Sequence, residues 1–339
     1  MKIALLDDYA RVALQSADWS RVRAMAEIAI FDRHLSETEA ISALADFDVL
    51  STIRERMALP RRLIEKLPKL KLVTIIGMSL PNLDLAAATE HGVAIAHSNF
   101  GNPAFANIAN ATPELTWGLM IATVRHIAQE HEGLREGKWQ STTGIILAGK
   151  TLGLLGLGRI GKRMAEYARV FGMNVIAWSQ NLSAEAAAAV GVKRVEKDEL
   201  FRQSDILSIH IVLSDRTRGL VTARELSLMK HEAYLINTSR GPIIDEAALL
   251  SALREKRIAG AGLDVFDVEP LADSHPYRTL TNVTLTPHLG YVTLETLGAF
   301  YSDTAEAIGA YLEGQPIRIV NPDALRHDKH RGVVVSARD

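Results

Sequence analysis

The feature that most restricts this chain is a glycine turn set between a short apolar run and a helix-forming one. Leu152-Gly153-Leu154-Leu155 reads as a buried strand, Gly156-Leu157-Gly158-Arg159-Ile160-Gly161 as a Gly-x-Gly-x-x-Gly turn, and Lys162-Arg163-Met164-Ala165-Glu166-Tyr167-Ala168 as the helix that follows. Each glycine has its own physical task. Gly156 permits the tight turn, Gly158 lets a ligand come close to the backbone, and Gly161 lets the helix lie against the strand. The helix start then turns free N–H groups and the positive end of its dipole toward an anion, here the pyrophosphate of a dinucleotide. Gly156, Gly158, Arg159, Ile160 and Gly161 are therefore candidate cofactor contacts.

The same rhythm of short apolar runs and amphipathic stretches extends along the chain, which predicts an α/β fold of βαβ units with parallel sheets. Strands are expected at 2–6, 28–31, 49–52, 72–76 and 93–96, with helices at 37–44 and 61–67 between them. A second series is expected at 151–155, 174–178, 206–210, 233–237, 260–264 and 283–286. With 339 residues, 47% of them hydrophobic, two domains can each bury a core. Between the two series a long helix is expected, with Thr112 as N-cap, Pro113 as first residue and Glu114 in the first turn, running to about Glu132. A C-terminal helix at 293–312 is expected to cross back to the first domain. The fold class is thus two doubly wound parallel-sheet domains, a Rossmann cofactor domain inserted in a discontinuous flavodoxin-like substrate domain. The expected boundaries are 1–112 with 294–325 for the substrate domain, 113–293 for the NAD(P)-binding domain, and a tail at 326–339.

Composition removes several functions. The formal net charge is −2, so nothing electrostatic favours nucleic acid or an anionic membrane as partner. With 0 cysteines, disulfides, thiolate metal sites and cysteine nucleophiles are excluded. No run of about 18 apolar residues exists to span a membrane. The apolar run after Met1 is too short for a signal peptide and reaches Asp7 and Asp8 at once. A cytoplasmic location is the expectation. His126, His131, His231, His275, His327 and His330 read as surface residues without metal-ligand spacing, and no metal is expected.

Three later segments carry reactive groups at expected strand ends: Asn237-Thr238-Ser239-Arg240-Gly241, Asp264-Val265-Phe266-Asp267-Val268-Glu269-Pro270 and Thr286-Pro287-His288-Leu289-Gly290. Ligands of open α/β sheets bind beyond the carboxyl ends of strands, so a guanidinium, a carboxylate and an imidazole can converge there. Reduction of a 2-keto acid needs such types. Negative charge grows on the carbonyl oxygen, and a cation and a proton donor near it lower the barrier. Histidine donates near neutral pH, a neighbouring carboxylate favours the imidazolium, and arginine's planar fork matches a carboxylate.

At these residues the chain resembles the D-isomer-specific 2-hydroxyacid dehydrogenases, over roughly 1–320 and most densely over 148–293. The resemblance implies an NAD(P)-dependent enzyme moving a hydride between cofactor and a small 2-keto or D-2-hydroxy acid of the glyoxylate or hydroxypyruvate type. It implies that Arg240 binds the substrate carboxylate and polarises the 2-oxo group, that His288 is the general acid/base, and that Glu269 holds it. Asp264 would accept from the nicotinamide carboxamide. His210, Val212, Leu213 and Thr217 would lie on the adenosine and phosphate side, with Thr238, Ser239 and Gly290 as further cofactor contacts. His210 by itself reads as structural. The substrate carboxylate would meet the backbone at Gly77, Met78 and Ser79, a loop that Leu80 and Pro81 make unusually apolar and stiff, and Arg54 could add charge. The helix after Thr112 and the stretch around Trp139 resemble the family's dimerisation region, so a homodimer is expected. An NAD(H)-sensing, corepressor-like binding protein on the same fold is the alternative reading, and a formate- or phosphite-type dehydrogenase a further one.

Cofactor choice turns on the end of the second strand of the Rossmann unit. NAD sites place Asp or Glu there to bind the ribose hydroxyls. This chain has Ser179-Gln180-Asn181-Leu182-Ser183. Ser179, Gln180 and Asn181 are therefore cofactor candidates, NAD or NADP is expected to serve, and the lean is toward NADPH. The nearest downstream cations, Lys193 and Arg194, reach this turn only if their strand lies alongside.

Overall fold

The computed structural model of this chain describes residues 1–77, 82–98 and 107–330. The chain divides into two units, one holding the residues up to Ile108 and those from Thr293 onward, the other Ala109–Val292. Met78 and Ser79 of the expected substrate loop lie outside the described residues.

The first unit is built on five parallel strands, β1 (Lys2–Leu5), β2 (Glu27–Ile30), β3 (Val49–Ile53), β4 (Leu72–Ile76) and β5 (Ala94–His97), in the order β2-β1-β3-β4-β5. This is the flavodoxin-like order. Every residue of β3 and β4 is buried, because helices cover both faces of a parallel sheet, and their sequences are accordingly mostly apolar, with only Ser51, Thr52 and Thr74 as small polar residues. The covering helices are short: α1 (Ser20–Arg23), α2 (Glu37–Leu44), α3 (Arg61–Ile64) and α4 (Leu85–Glu90). Helix α2 is fixed by a capping box, with Ser36 and Glu39 each satisfying the other's backbone N–H. Helix α3 ends at Ile64, three residues before the expected stop, and Pro60 precedes it as N-cap in an extended conformation.

The second unit begins with α5 (Ala111–Val124) and α6 (Ile127–Arg135). One long helix was expected here; the helix breaks because His126 takes a left-handed φ of 53°. Its N-cap is Asn110, not Thr112. Thr112 and Pro113 lie inside the first turn, where a residue without an N–H is tolerated at any of the early positions, so Pro113 does not set the start.

Seven parallel strands follow: β6 (Thr151–Leu155), β7 (Asn174–Trp178), β8 (Lys193–Arg194), β9 (Ile206–Ile209), β10 (Tyr234–Asn237), β11 (Gly260–Leu263) and β12 (Val283–Leu285). Their order is β12-β11-β10-β9-β6-β7-β8, the doubly wound Rossmann order. Helices α7 (Arg159–Val170), α8 (Ala184–Ala188), α9 (Lys197–Gln203), α10 (Ala223–Leu228) and α11 (Glu246–Arg254) connect them. Helix α7 buries Gly161, Met164, Ala165 and Ala168, a stripe at helical spacing. Met164 is fully enclosed, and truncating it to Ala is expected to cost about 2–5 kcal/mol. The strand order reverses between β6 and β9, the crevice where such sheets bind ligands.

Helix α12 (Leu294–Leu312) belongs to the first unit and packs on β4. Beyond it the chain stays tied to that unit. Asn321 accepts from Ile95 N (2.8 Å) and donates to Val93 O (2.9 Å). The stretch expected as a tail from 326 is anchored through His330, whose ring joins Tyr311 Oη (2.9 Å) and Gly92 O (2.8 Å). His330 is thus buried, not a surface residue. His126 and His275 are also half-buried, His126 against the Tyr234 ring and His275 paired with Glu246 at 3.2 Å. Among the described residues, no helix is long and apolar enough to cross a membrane.

Candidate active site

The glycine turn shows why each glycine is needed. Gly156 has φ 108°, and a Cβ there would stand 2.8 Å from the main chain of His210. A Cβ on Gly161 would stand 2.2 Å from Gly156 O, so the helix and strand can meet only without a side chain. A Cβ on Gly158 would meet nothing of the protein. The protein's own packing therefore does not require glycine there, whereas a ligand resting on the backbone would. Helix α2 is capped by Ser36 and α8 by Ser183, but α7 starts at Gly158 with no side chain on its first N–H groups. Arg159 is exposed at that start, and Ile160 is half-buried against the core. Uncapped N–H groups, a bare backbone and the positive helix end fit a dinucleotide pyrophosphate.

His210 follows β9 across the crevice. Its Nε2 lies 2.8 Å from Ser208 Oγ, and burial pushes its pKa down to about 3, so it is a neutral, structural imidazole at the glycine turn. The loop beyond it is organised by Thr217, whose Oγ1 accepts from Ser214 N (2.8 Å) and donates to Val212 O (2.7 Å). Val212 itself is 83% exposed, and Leu213 is half-buried against the core.

The reactive groups stand beyond the ends of three neighbouring strands, β10, β11 and β12. Arg240 follows β10; its Nη1 donates to Ser239 O (2.6 Å), and its own carbonyl accepts from Asn237 Nδ2 (3.0 Å). Ser239 Oγ donates to Ile211 O (2.5 Å), and Thr238 Oγ1 pairs with Thr116 Oγ1 (2.7 Å). Glu269 follows β11: Oε1 accepts from Phe266 N (2.9 Å), while Oε2 meets His288 Nδ1 at 2.5 Å. His288 follows β12 with a left-handed φ of 53° and stays accessible, its side chain 16% exposed. Its turn is held by its N–H to Asp264 O (2.8 Å).

Asp264 is tied into the turn that follows β12. It is fully enclosed, and its carboxylate accepts from Thr286 Oγ1 (2.6 Å), Leu289 N (2.7 Å) and Gly290 N (2.9 Å). Burial pushes its pKa up. These three contacts are all to the turn that presents His288, so Asp264 positions that turn. Sequence reasoning missed the groups that do this work. Phe266, Leu289 and Gly290 act through main-chain N–H groups, which carry no sequence signal, and Thr286 reads only as a strand residue.

The other sequence candidates are dispersed. Ser179, Gln180 and Asn181 form a turn after β7, Ser179 half-buried and the other two exposed, closed by Leu182 N to Ser179 O (3.1 Å). In the first unit, Arg54 and Gly77 follow β3 and β4, with Arg54 N donating to Ile76 O (2.9 Å). Arg54 has φ 50° and Gly77 φ 145°. Arg56, also after β3, donates to Asp7 O (3.1 Å) and stacks over Tyr9. Among the described residues no group of three potential metal ligands occurs.

Comparison with known proteins agrees with this architecture. The NAD-binding-domain model of the D-isomer-specific 2-hydroxyacid dehydrogenases matches residues 117–290. The chain is 38% identical over 274 residues to glyoxylate reductase of Aeropyrum pernix, covering 78% of this chain and 80% of that one. It is 39% identical over 284 residues to D-3-phosphoglycerate dehydrogenase of Methanocaldococcus jannaschii, which is 83% of this chain but 53% of that protein. The chain thus spans about half the length of this relative. A phosphoglycerate oxidoreductase from Vibrio cholerae superposes with a TM-score of 0.82 at 34% identity, covering 90% of this chain and 97% of that one. A glycine turn at the switch point, an Arg, Glu and His set on successive strand ends, and these matches have one reading: the chain belongs to the D-isomer-specific 2-hydroxyacid dehydrogenase family.

Proposed function

We propose that this protein is an NAD(P)-dependent dehydrogenase that interconverts a small 2-keto acid, of the glyoxylate or hydroxypyruvate type, and its D-2-hydroxy acid. The observation that carries the reading is the Glu269–His288 contact at 2.5 Å, made by an imidazole that remains accessible. An ionised Glu269 can only accept, so His288 Nδ1 carries the hydrogen that points at it and Nε2 is left for the substrate oxygen. In reduction His288 Nε2 delivers a proton to that oxygen; in oxidation it takes one. Glu269 stabilises the charged ring and is itself held by Phe266 N–H. Arg240 pairs with the substrate carboxylate and opposes the charge growing on the 2-oxo oxygen. The nicotinamide, when bound, supplies or takes up the hydride. Gly156, Gly158 and Gly161 give the dinucleotide's pyrophosphate a place, with the loops at Val212–Thr217 and Ser179–Asn181 on the adenosine side.

The glyoxylate and hydroxypyruvate reductases among the relatives support the choice of substrate class. The test is oxidation of NADH and NADPH with glyoxylate, hydroxypyruvate and pyruvate, followed by chiral analysis of the product. Turnover yielding the D-isomer is expected, and no turnover with any 2-keto acid overturns the reading. The proposal includes a cytoplasmic homodimer. Its support is the exposed apolar stretch of Ile127 (51%), Leu134 (59%), Trp139 (78%) and Ile146 (77%). A monomer by light scattering at micromolar concentration contradicts the dimer.

A further inference from the structure

The two-residue strand β8 settles a question of reach. It pairs in parallel with β7, with Ile176 opposite Lys193 and Ala177 opposite Arg194. Arg194 therefore lies one strand away from the turn that follows β7, although 15 positions separate it from Ser179 in sequence. Its side chain crosses to that turn: Nε donates to Leu182 O at 3.1 Å. Lys193, the neighbouring cation, belongs to the opposite face of the strand. The turn itself, Ser179-Gln180-Asn181-Leu182-Ser183, contains no carboxylate. A guanidinium is thus fixed against the place where NAD sites put an acid to bind the ribose hydroxyls.

We propose that Arg194 receives the 2′-phosphate of NADPH and makes NADPH the preferred cofactor of this enzyme, a reading that rests on the dinucleotide site described above. Two observations carry it independently. The acid that would repel a 2′-phosphate is missing from the turn. A cation is anchored to the turn by the main chain, so its position is set before any ligand arrives. The nitrogens are divided suitably. Nε holds Leu182 O, Nη1 pairs with Glu196 at 2.6 Å, and Nη2 makes no hydrogen bond among the described residues. Glu196 is 71% exposed, and an ion pair so exposed is weak, so a dianionic phosphate can take its place. Arginine's planar fork suits phosphate oxygens, and the Ser179 hydroxyl and Asn181 amide lie in the same turn as further donors.

The experiment measures binding, by titration calorimetry, of 2′,5′-ADP and of 5′-ADP to the wild-type protein and to Arg194→Gln and Arg194→Lys. Glutamine can still donate to Leu182 O but has no charge; lysine keeps the charge but not the fork. The wild type is expected to bind 2′,5′-ADP the tighter. Arg194→Gln is expected to weaken it about 10- to 100-fold, the effect of one charge-assisted hydrogen bond, with 5′-ADP changed little. Arg194→Lys is expected to keep part of the preference, and the salt dependence of 2′,5′-ADP binding is expected to fall in the glutamine variant alone. The ratio of kcat/KM for NADPH over NADH should follow the same order. Equal binding of the two nucleotides by the wild type, or an unchanged preference in Arg194→Gln, overturns the role of Arg194 and leaves the dinucleotide site standing. Binding of neither nucleotide overturns the dinucleotide site, and this proposal with it.

Discussion

Gly241 offers a direct test of how the fold positions the chemistry. It follows Arg240 and is buried, and its φ lies outside the left-handed region, so alanine is acceptable to the backbone there. The obstacle is steric. A Cβ on Gly241 would stand 2.1 Å from Phe266 C, 2.3 Å from Phe266 O and 2.5 Å from Asp267 N, all main-chain atoms. Carbon–carbon contact needs about 3.5 Å, so the segment must move by more than about 1 Å. That segment is the one whose Phe266 N–H holds Glu269, and Glu269 holds His288. Overpacking of this kind costs about 1–3 kcal/mol, and misplacing a catalytic group by about 1 Å costs about 100-fold in rate. Gly241→Ala should therefore lower Tm by several degrees and kcat by about 100-fold, while nucleotide affinity is kept. Gly158→Ala is the contrasting case, since its Cβ meets nothing. It should leave Tm unchanged and weaken nucleotide binding. The assays are thermal unfolding, fluorescence titration with NADPH, and steady-state kinetics. A Gly241→Ala enzyme with wild-type Tm and kcat refutes the reasoning, as does a Gly158→Ala protein that binds NADPH normally.

Three further outcomes follow from the geometry. His288→Asn should cut kcat by about 10²–10⁴ with nucleotide binding retained, and Glu269→Gln should draw in the alkaline limb of the pH–rate profile for reduction; normal turnover in the first or an unmoved profile in the second contradicts the pair. Arg240→Lys should rescue little, raising KM and lowering kcat together, because an ammonium cannot reproduce the planar fork; full activity sinks the assignment. His330 is a stability probe. Gly92 O can only accept, so Nε2 carries the hydrogen and neutral Nδ1 accepts from Tyr311; burial holds the ring's pKa below its ordinary value. The unfolded chain takes up this proton near pH 6.5 and the folded one only below that, so stability is intact above about 6.5 and falls as pH drops, by up to about 1.4 kcal/mol per unit. His330→Gln should flatten the fall in urea midpoint between roughly pH 6.5 and 5, and an unchanged slope shows that His330 titrates freely.

Residue type and spacing report local features. The strands were legible because parallel strands covered on both faces read as near-continuous apolar runs, and most of the expected spans agree with the structure to within about a residue. The glycine turn was legible because its three positions answer to contacts within a few residues and across one neighbouring strand. The placement of Arg240 and His288 at strand ends was legible because each follows an apolar run that reads as a strand; their roles rest on the family resemblance and the proposed mechanism. Tertiary structure alone decided the rest. The break at His126 depends on one residue's left-handed backbone, to which periodicity is blind. Asp264 holds the His288 turn because the N–H groups of Leu289 and Gly290 converge on it, and main-chain donors leave no trace in residue type. His330 became a core residue because a segment past the last helix folds back under Gly92. A strand of two residues has no period to detect, so Arg194 came beside Ser179 only through the register of β8 on β7. Strand register is fixed by packing between segments distant in sequence, and it is there that the candidate cofactor choice was made.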